Sequence, residues 1–203
     1  NNSELSQSVC TGAVKYNNLE CLKYLHKIGC PWSYDTCSYA SRHGNLECLK
    51  YLHENGCEWY TDTCTFAASS NRLECLKYAI ENGCSYDEYT FDTAVRNEHI
   101  DCLKYLHKVK CKYNEYSYET AGRNGKFESF KFLYENGYPW SKNTCFWVIA
   151  GTTYDRNVFE EGIHLKILKY AIENGCPYDK KECIKRAKKS PGKNILKYVK
   201  ELK

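Results

Sequence analysis

Three histidine–cysteine pairs recur along the chain at a spacing that could bind a metal ion. In each pair three residues separate the two side chains: His26 and Cys30, His53 and Cys57, and His107 and Cys111. Imidazole nitrogens and thiolates are preferred ligands of Zn²⁺, usually in tetrahedral sets. However, the sequence has no Cys-x2-Cys motif, and the histidine position becomes Ile80, Tyr134 or Ile172 in other copies. Because a ligand set must converge on one point, we interpret these histidines as packed, partly buried side chains.

No other combination of residues predicts catalysis. The sequence lacks a phosphate-binding glycine loop, a nucleophile elbow and the paired histidines of a zinc-protease helix. An active site is a single constellation of side chains, whereas the His, Cys and Asp residues of this chain recur. We therefore expect a protein that is not an enzyme and that uses no cofactor and no metal.

The recurrence has a fixed period of 27 residues, set by Cys30, Cys57, Cys84 and Cys111. The run Leu-Glu-Cys-Leu-Lys-Tyr-Leu-His at 19–26 returns at 46–53. Such a period is typical of a solenoid, in which each unit packs on its neighbours, so we treat residues 1–203 as one repeat domain. No apolar run is long enough to span a membrane. Since the chain starts at Asn1 and contains no Met, we expect it to be part of a longer product.

The fourteen cysteines occupy only three positions of the repeat. The first is held by Cys10, Cys37, Cys64, Cys145 and Cys183, the second by Cys21, Cys48, Cys75 and Cys102, and the third by Cys30, Cys57, Cys84, Cys111 and Cys176. In other copies these positions hold Phe91, Tyr118, Ser129, Ile167 or Tyr138. A position that accepts Cys, Phe or Ile indicates a need for apolar volume. Equivalent residues of stacked helices also lie about 8–10 Å apart, beyond the roughly 7 Å limit for a disulfide. We interpret the cysteines as buried thiols in a reducing compartment.

Each repeat is expected to form two short helices. In the second repeat Pro31 breaks the chain, Asp35 or Thr36 caps the first helix, Gly44 ends it, and apolar spacing from Leu46 predicts the second. A left-handed glycine follows the second helix at Gly29, Gly56, Gly83, Gly137 and Gly175. The seven pairs span about 4–28, 35–55, 62–82, 88–109, 115–136, 142–174 and 182–201, the last as a C-terminal cap. One aromatic column of the second helices is expected in the core: Tyr24, Tyr51, Tyr78, Tyr105, Phe132, Tyr170 and Tyr198.

The run Ala-Ser-Arg-His-Gly-Asn-Leu-Glu-Cys-Leu-Lys-Tyr-Leu at 40–52 resembles the helical part of an ankyrin repeat, and Gly56-Cys57 stands where ankyrin has Gly-Ala. The usual ankyrin unit of about 33 residues is longer by roughly six, and the missing residues fall between Gly56 and Cys64, where ankyrin builds a β-hairpin finger. Asp-Thr-Cys-Ser at 35–38 replaces the usual Thr-Pro-Leu-His. With Leu-Glu-Cys-Leu-Lys-Tyr and Gly-Cys-Pro-Trp, this short form is similar to ankyrin-like proteins of large DNA viruses of amoebae and some protists. The resemblance implies an all-α, ankyrin-like solenoid of about seven helix pairs with shortened loops in place of the fingers.

In ankyrin-like stacks the first helix of each pair lines the concave side, so the resemblance implies a groove for a protein partner there. The candidate contact residues are Ser38, Tyr39, Arg42, Thr65, Phe66, Asp92, Arg96, Glu119, Arg123, Phe146 and Trp147. Aromatic side chains beside arginines are the residue types that most often dominate binding energy. The alternative is that these positions are merely solvated.

Two segments depart from the period. The interval from Cys145 to Cys183 is 38 residues, an insertion of 11 around residues 151–161. Insertions in repeats map to surface loops that often carry specificity, so Tyr154, Arg156 and Phe159 are candidate contacts, with neutral drift as the alternative.

The second departure is the charge of the last unit. Ten basic and two acidic residues from Lys180 onward give +8, whereas 19 basic and 23 acidic residues in the remainder give −4. Seven of these could meet phosphate or an acidic partner: Lys185, Arg186, Lys188, Lys189, Lys193, Lys197 and Lys200. A repeat array also needs a polar terminal unit to stay soluble. We favour the cap, because no aromatic platform beyond Tyr198 accompanies these charges.

The sequence as a whole predicts an intracellular scaffold or adaptor for protein–protein interaction, in the cytoplasm of a cell or host. The alternative is a structural component of a larger assembly or virion that associates with itself or with a shell protein. The third hypothesis is that the basic C-terminal unit binds a nucleic acid or an acidic partner. The fold alone does not decide among the three, because one fold hosts many functions.

Overall fold

The structure is a computed structural model that describes residues 7–154, 161–190 and 192–202. These ranges contain fourteen α-helices and no strand. In chain order they are α1 (Gln7–Lys15), α2 (Leu19–Lys27), α3 (Tyr34–His43), α4 (Leu46–Glu54), α5 (Thr61–Ser69), α6 (Leu73–Glu81), α7 (Glu88–Asn97), α8 (Ile100–Lys108), α9 (Ser117–Arg123), α10 (Phe127–Glu135), α11 (Thr144–Tyr154), α12 (Glu161–Glu173), α13 (Lys180–Ala187) and α14 (Asn194–Glu201). The fourteen helices follow one another along the chain as seven consecutive pairs, so the predicted all-α fold of seven helix pairs is confirmed. No helix in the described ranges combines the length and apolar character that a membrane span requires.

The chain divides into two compact units, Asn1–Ala94 with Asp101–Tyr113, and Val95–Ile100 with Asn114–Lys203. In the first unit α3 packs between α1 and α5, and α4 packs between α2 and α6. In the second unit α11 packs between α9 and α13, and α12 packs between α10 and α14. Each unit therefore has one layer of first helices and one layer of second helices, as stacked repeats require.

The core lies between the two layers of each unit. Leucines three residues apart on the second helices, such as Leu49 and Leu52, are fully buried, and so are Ala40 and Ala67 of the first helices. Burying one leucine side chain contributes about 1.5–3 kcal/mol, whereas helices of this length are only marginally stable alone. Packing between repeats therefore holds the helices in place.

Two residues in most repeats adopt the left-handed backbone conformation. The residues that follow the second helix are Gly29, Gly56, Gly83, Lys110, Gly137 and Gly175. The residues that follow the first helix are Asn17, Gly44, Asn71, Glu98 and Gly125. The predicted glycine ends are thus confirmed. In the fourth repeat Lys110 has φ 56° where the other repeats have glycine. A residue with a Cβ atom is strained in this conformation, so this turn is less stable than its equivalents.

Helix α3 begins earlier than the sequence predicts. Ser33 is its N-cap residue, and the Ser33 backbone N–H donates a hydrogen bond to Thr36 Oγ1 at 3.2 Å. The prediction of Asp35 or Thr36 as the cap is wrong, since both lie inside the helix. In the sixth repeat the Ser141 N–H donates to Thr144 Oγ1 at the same distance, 3.2 Å.

The aromatic column of the second helices does not lie in the core, contrary to expectation. Tyr24 is 63% exposed, and of the seven residues Phe132 alone is buried. The cause is the phenol, which reaches a polar partner in the preceding repeat: Tyr51 Oη lies 2.9 Å from His26 Nδ1. A tyrosine can bury its ring edge while its hydroxyl group stays at the surface, so these residues join repeats along the outer rim of the core.

The insertion in the sixth repeat lengthens both of its helices. Helix α11 continues to Tyr154 and α12 begins at Glu161, so residues 151–154 are helical rather than part of a surface loop. Gly151 and Thr152 are buried. Arg156, Phe159 and the side chain of Tyr154 lie outside the described residues.

Glu161, within the insertion, contacts the last helix. Its carboxylate accepts hydrogen bonds from the Ile195 backbone N–H at 3.0 Å and from Asn194 Nδ2 at 3.0 Å. A side chain on Gly192 would collide with this carboxylate, so only glycine allows the approach. A carboxylate that accepts from a helix N-terminus satisfies an orphan N–H group and complements the helix dipole. This part of the insertion therefore stabilises α14.

Candidate functional site

The structure separates the members of the predicted histidine–cysteine pairs. His26 Nδ1 lies 2.9 Å from Tyr51 Oη, and its ring centre lies 4.2 Å from that of Trp32. Cys30 Sγ instead contacts Cys10 Sγ at 3.1 Å. The histidines at 26 and 53 are half-buried, as predicted, whereas the one at 107 is exposed. Within the described residues no group of three or more His, Cys, Asp and Glu side chains is arranged to hold a metal ion.

Two pairs of thiols lie close together inside single repeats. All fourteen are thiols, thirteen of them buried and Cys21 half-buried. Cys10 and Cys30 lie 3.1 Å apart at Sγ, and Cys145 and Cys176 lie 3.5 Å apart. Burial and the hydrogen bond to Cys30 raise the pKa of Cys10 to about 12, so this thiol is protonated at neutral pH. The sequence comparison considered equivalent positions of different repeats, and on that ground it excluded disulfides between repeats. It did not predict these contacts, because they join the first and third cysteine positions of one repeat.

The candidate contact residues occupy three positions of the repeat, which we call rows: Ser38, Thr65, Asp92, Glu119 and Phe146 in the first, Tyr39, Phe66 and Trp147 in the second, and Arg42, Arg96 and Arg123 in the third. In the first row Ser38 and Thr65 are buried between neighbouring first helices. Ser38 Oγ lies 3.3 Å from Thr63 Oγ1, and Thr65 Oγ1 lies 3.0 Å from Thr90 Oγ1. Buried hydroxyl groups need hydrogen-bond partners, and here each repeat supplies one to the next. Ser38 and Thr65 therefore hold repeats together and are not accessible to a partner.

Asp92 and Glu119 of the same row are buried as well. Glu119 accepts a hydrogen bond from Ser141 Oγ at 2.7 Å, and burial raises the pKa of its carboxyl group although that hydrogen bond lowers it. Small polar and acidic residues are typical of surfaces, so residue type alone does not reveal this burial. In this row Phe146 is half-buried and remains accessible.

The other two rows bring arginines and aromatic residues together at the surface. Arg42 Cζ lies 5.5 Å from the ring centre of Phe66, and Arg123 Cζ lies 5.5 Å from that of Trp147. In both pairs the arginine belongs to one repeat and the aromatic residue to the next. Cation–π contacts of this kind stabilise exposed pairs by about 0.5–1 kcal/mol. Arg96 is exposed too, but the equivalent aromatic position is Thr120.

These residues define two accessible surfaces, one in each unit. The Arg42 surface, in the first unit, consists of Tyr39, Arg42 and Phe66. Tyr39 is 39% exposed, and its ring is stacked on that of His43 with an angle of 11° between the planes. The Arg123 surface, in the second unit, consists of Arg123, Phe146 and Trp147. Each surface thus holds one arginine at 5.5 Å from the ring centre of an aromatic residue in the next repeat.

Two adjoining cavities open beside the Arg123 surface. The larger, of about 580 Å³, is lined by Lys142, Asn143, Phe146, Trp147, Pro177, Tyr178, Asp179, Glu182 and Cys183. The smaller, of about 230 Å³, is lined by Phe146, Glu182, Lys185, Arg186 and Lys189. Because Phe146 and Glu182 line both, we treat the two as one site and name it the Phe146 cavity.

The α13 side chains in this cavity were not predicted as part of the binding surface. Arg186 Cζ lies 5.4 Å from the ring centre of Phe146, so the basic C-terminal unit does meet an aromatic platform. The expectation that no aromatic side chain beyond Tyr198 accompanies these charges is therefore wrong. The sequence does hold a signal for Lys185, which follows Cys183 by two residues as Trp147 follows Cys145. The insertion between these repeats obscures that register.

Comparison with known proteins agrees with the helix pairs and their turns. The family model for ankyrin repeats (three copies) matches residues 10–90 and 37–117, which together span more than half of the chain. None of the curated proteins matches the sequence. Among solved structures, the crystal structure of the human ASB11 ankyrin repeat domain is similar in fold, with a TM-score of 0.72 and 17% sequence identity over 94% of this chain and 95% of that one. The chain thus belongs to the ankyrin repeat family.

Proposed function

We propose that the protein is a non-catalytic scaffold that binds a protein partner through the Arg42 and Arg123 surfaces. The observation that carries this proposal is the repeated pair of an arginine and an aromatic residue, Arg42 with Phe66 and Arg123 with Trp147. Ankyrin repeats are generally scaffolds for protein–protein interaction, which supports a protein as the partner.

The surroundings of each pair favour binding. Trp, Tyr and Arg are the residue types most enriched among those that dominate binding energy. The first helices beneath them are held together by buried contacts such as Thr65 with Thr90. A surface that is ordered before binding loses little conformational entropy when the partner arrives, so more of the contact energy is retained as affinity.

We further infer that binding takes place inside a cell, in a reducing compartment. The fourteen thiols support this inference, because disulfides form and persist in oxidising compartments. The short repeat with Leu-Glu-Cys-Leu-Lys-Tyr supports an assignment to the ankyrin-like proteins of large DNA viruses or protists, with the host cytoplasm as the place of action.

Affinity purification from the native cell or infected host, followed by mass spectrometry, tests the proposed function. The tagged wild-type chain is compared with an Arg42→Ala/Arg123→Ala variant and with a Lys23→Ala/Lys77→Ala control. The control alters two lysines of the second helices, each of which forms an ion pair with a glutamate of its own helix. We expect specific partners to fall at least tenfold in abundance with the arginine variant and to persist with the control. Unchanged recovery with a folded arginine variant would contradict the proposal.

Light scattering of the purified chain addresses the structural alternative. A scaffold for a different protein stays monodisperse as its concentration rises. Concentration-dependent assembly that the arginine variant abolishes would instead support a component that binds copies of itself.

A further inference from the structure

The Phe146 cavity has an apolar wall on one side and a basic strip on the other. We propose that it binds an acidic segment of a protein partner, which inserts an aromatic or large aliphatic side chain against Phe146 and Trp147. This inference rests on the proposed function and adds to it the place and the chemistry of one contact.

The apolar wall suits a single large side chain. The rings of Phe146 and Trp147 lie 5.4 Å apart, centre to centre, at 85°, so they present a face and an edge to the same space. Pro177 and Tyr178 complete the wall of the larger cavity. Its volume of about 580 Å³ falls within the range of about 300–1,000 Å³ that is typical of ligand sites.

The basic strip lies beside this wall on α13 and the residues just after it. Lys185, Arg186 and Lys189 line the smaller cavity together with Phe146. The acidic residue in this part, Glu182, forms an ion pair with Lys185 at 3.3 Å, and the Lys185 side chain is 70% exposed. Three cations against one paired carboxylate leave a net positive field, which complements the carboxylates of an acidic segment and speeds its association.

A carboxylate at the other end of the cavity, that of Asp179, favours a protein over a nucleic acid. Asp179 caps α13, where its side chain accepts hydrogen bonds from the Lys181 N–H at 2.8 Å and the Glu182 N–H at 3.1 Å. A helix N-terminus of this kind often binds phosphate, but here the protein's own carboxylate already occupies it. Asp179 therefore repels a phosphate backbone that runs through the cavity. An acidic peptide avoids this repulsion if its acids lie only on the Lys189 side of the inserted residue.

A random twelve-residue peptide library displayed on phage, selected on the full chain, tests this proposal. We expect enriched peptides with an aromatic or large aliphatic residue next to a cluster of Asp and Glu. A fluorescent copy of the most enriched peptide is then titrated against variants. We expect at least tenfold weaker binding to Phe146→Ala and to Lys185→Glu/Lys189→Glu, because both remove direct contacts.

The control carries the same change of charge elsewhere. Lys197→Glu/Lys200→Glu alters exposed residues of α14 that do not line the cavity, and we expect its affinity to stay within about twofold of wild type. Lys185 and Lys189 are exposed, so their variant remains informative if Phe146→Ala fails to fold.

Three results would overturn the proposal: no enrichment of acidic peptides, equal weakening by the α14 control, or displacement of the peptide by poly(U) RNA with a steep dependence on salt. Failure here is distinguishable from failure of the proposed function. If no acidic peptide is enriched but the Arg42→Ala/Arg123→Ala variant still loses its partners, the cavity proposal fails and the scaffold function stands.

Discussion

The sulfur atoms of Cys10 and Cys30 lie 3.1 Å apart although 20 residues separate them along the chain. The first residue comes from α1 and the second from the turn after α2. The same relationship recurs in the sixth repeat, where Cys145 and Cys176 lie 3.5 Å apart. Thiols in these two positions of one repeat therefore face each other across the core.

We predict that mild oxidation joins the cysteines within repeats rather than between them. Diamide should convert Cys10 with Cys30, and Cys145 with Cys176, to disulfides as it takes up the two thiol hydrogens. To reach the bond length of about 2.05 Å, the sulfurs need to approach by about 1 Å in the first pair and about 1.5 Å in the second. Peptide mapping under non-reducing conditions identifies the bonds. Cys111 serves as the internal control, since Phe91 holds the first position of its repeat. Disulfides between equivalent positions of different repeats would refute this arrangement.

Replacement of Glu161 should loosen the C-terminal helix. Glu161→Ala removes the acceptor for the Ile195 N–H and for the Asn194 side chain. A buried donor left without a partner costs about 1–3 kcal/mol. We therefore expect hydrogen exchange in α14 to be faster in Glu161→Ala than in wild type, whereas exchange in α10 should not change. Glu161→Gln keeps one acceptor oxygen and should give a smaller effect. If exchange in α14 does not change in Glu161→Ala, the insertion does not stabilise this helix.

The turn after the fourth repeat can be stabilised by a single change. Lys110→Gly relieves a left-handed residue with φ 56°, and we expect it to raise the free energy of unfolding by about 1 kcal/mol. The matched change is Gly83→Ala, where φ is 86° and no atom lies within 4 Å of the added Cβ, so the cost is that of the backbone alone. We expect Gly83→Ala to lower the free energy of unfolding by a similar amount. Urea denaturation measures both, and shifts of the same sign would be inconsistent with this assignment.

Glu119 makes stability depend on pH. Because burial raises its pKa, the ionised form is penalised in the folded state, and stability falls as the pH rises through the carboxyl range. Glu119→Gln keeps an acceptor for Ser141 without the charge, so we expect a higher melting temperature than wild type at pH 7. The difference should shrink as the pH falls below about 4.3, the ordinary pKa of glutamate. A difference that widens on acidification would contradict this account.

The helical framework could be predicted from the sequence because each of its determinants is local and repeated. The leucine stripe of α4 and the glycine at 56 fix one helix and its end, and the 27-residue period carries both to the other repeats. Trp147 could be predicted for the same reason, because its repeat position is also accessible at Tyr39 and Phe66. Phe146 is an exception in its repeat position, since Ser38 and Thr65 are buried there.

Relationships between repeat positions could not be predicted. Ser38 has the polar character of a surface residue, and its burial depends on Thr63 of the next repeat. The contact of Arg186 with Phe146 depends on the register across the insertion. In each case a contact between two repeats decides the role of the side chain, and the type of neither residue reveals it.

Site-specific photo-crosslinking tests the central claim most directly. Benzoylphenylalanine is placed singly at Phe66, at Trp147 and, as a control on the second-helix layer, at the exposed Tyr24. The three proteins are expressed in the native cell or infected host and irradiated. We predict covalent adducts with a partner protein from positions 66 and 147 and none from position 24. Adducts from position 24 alone would contradict the claim that the first helices form the binding surface.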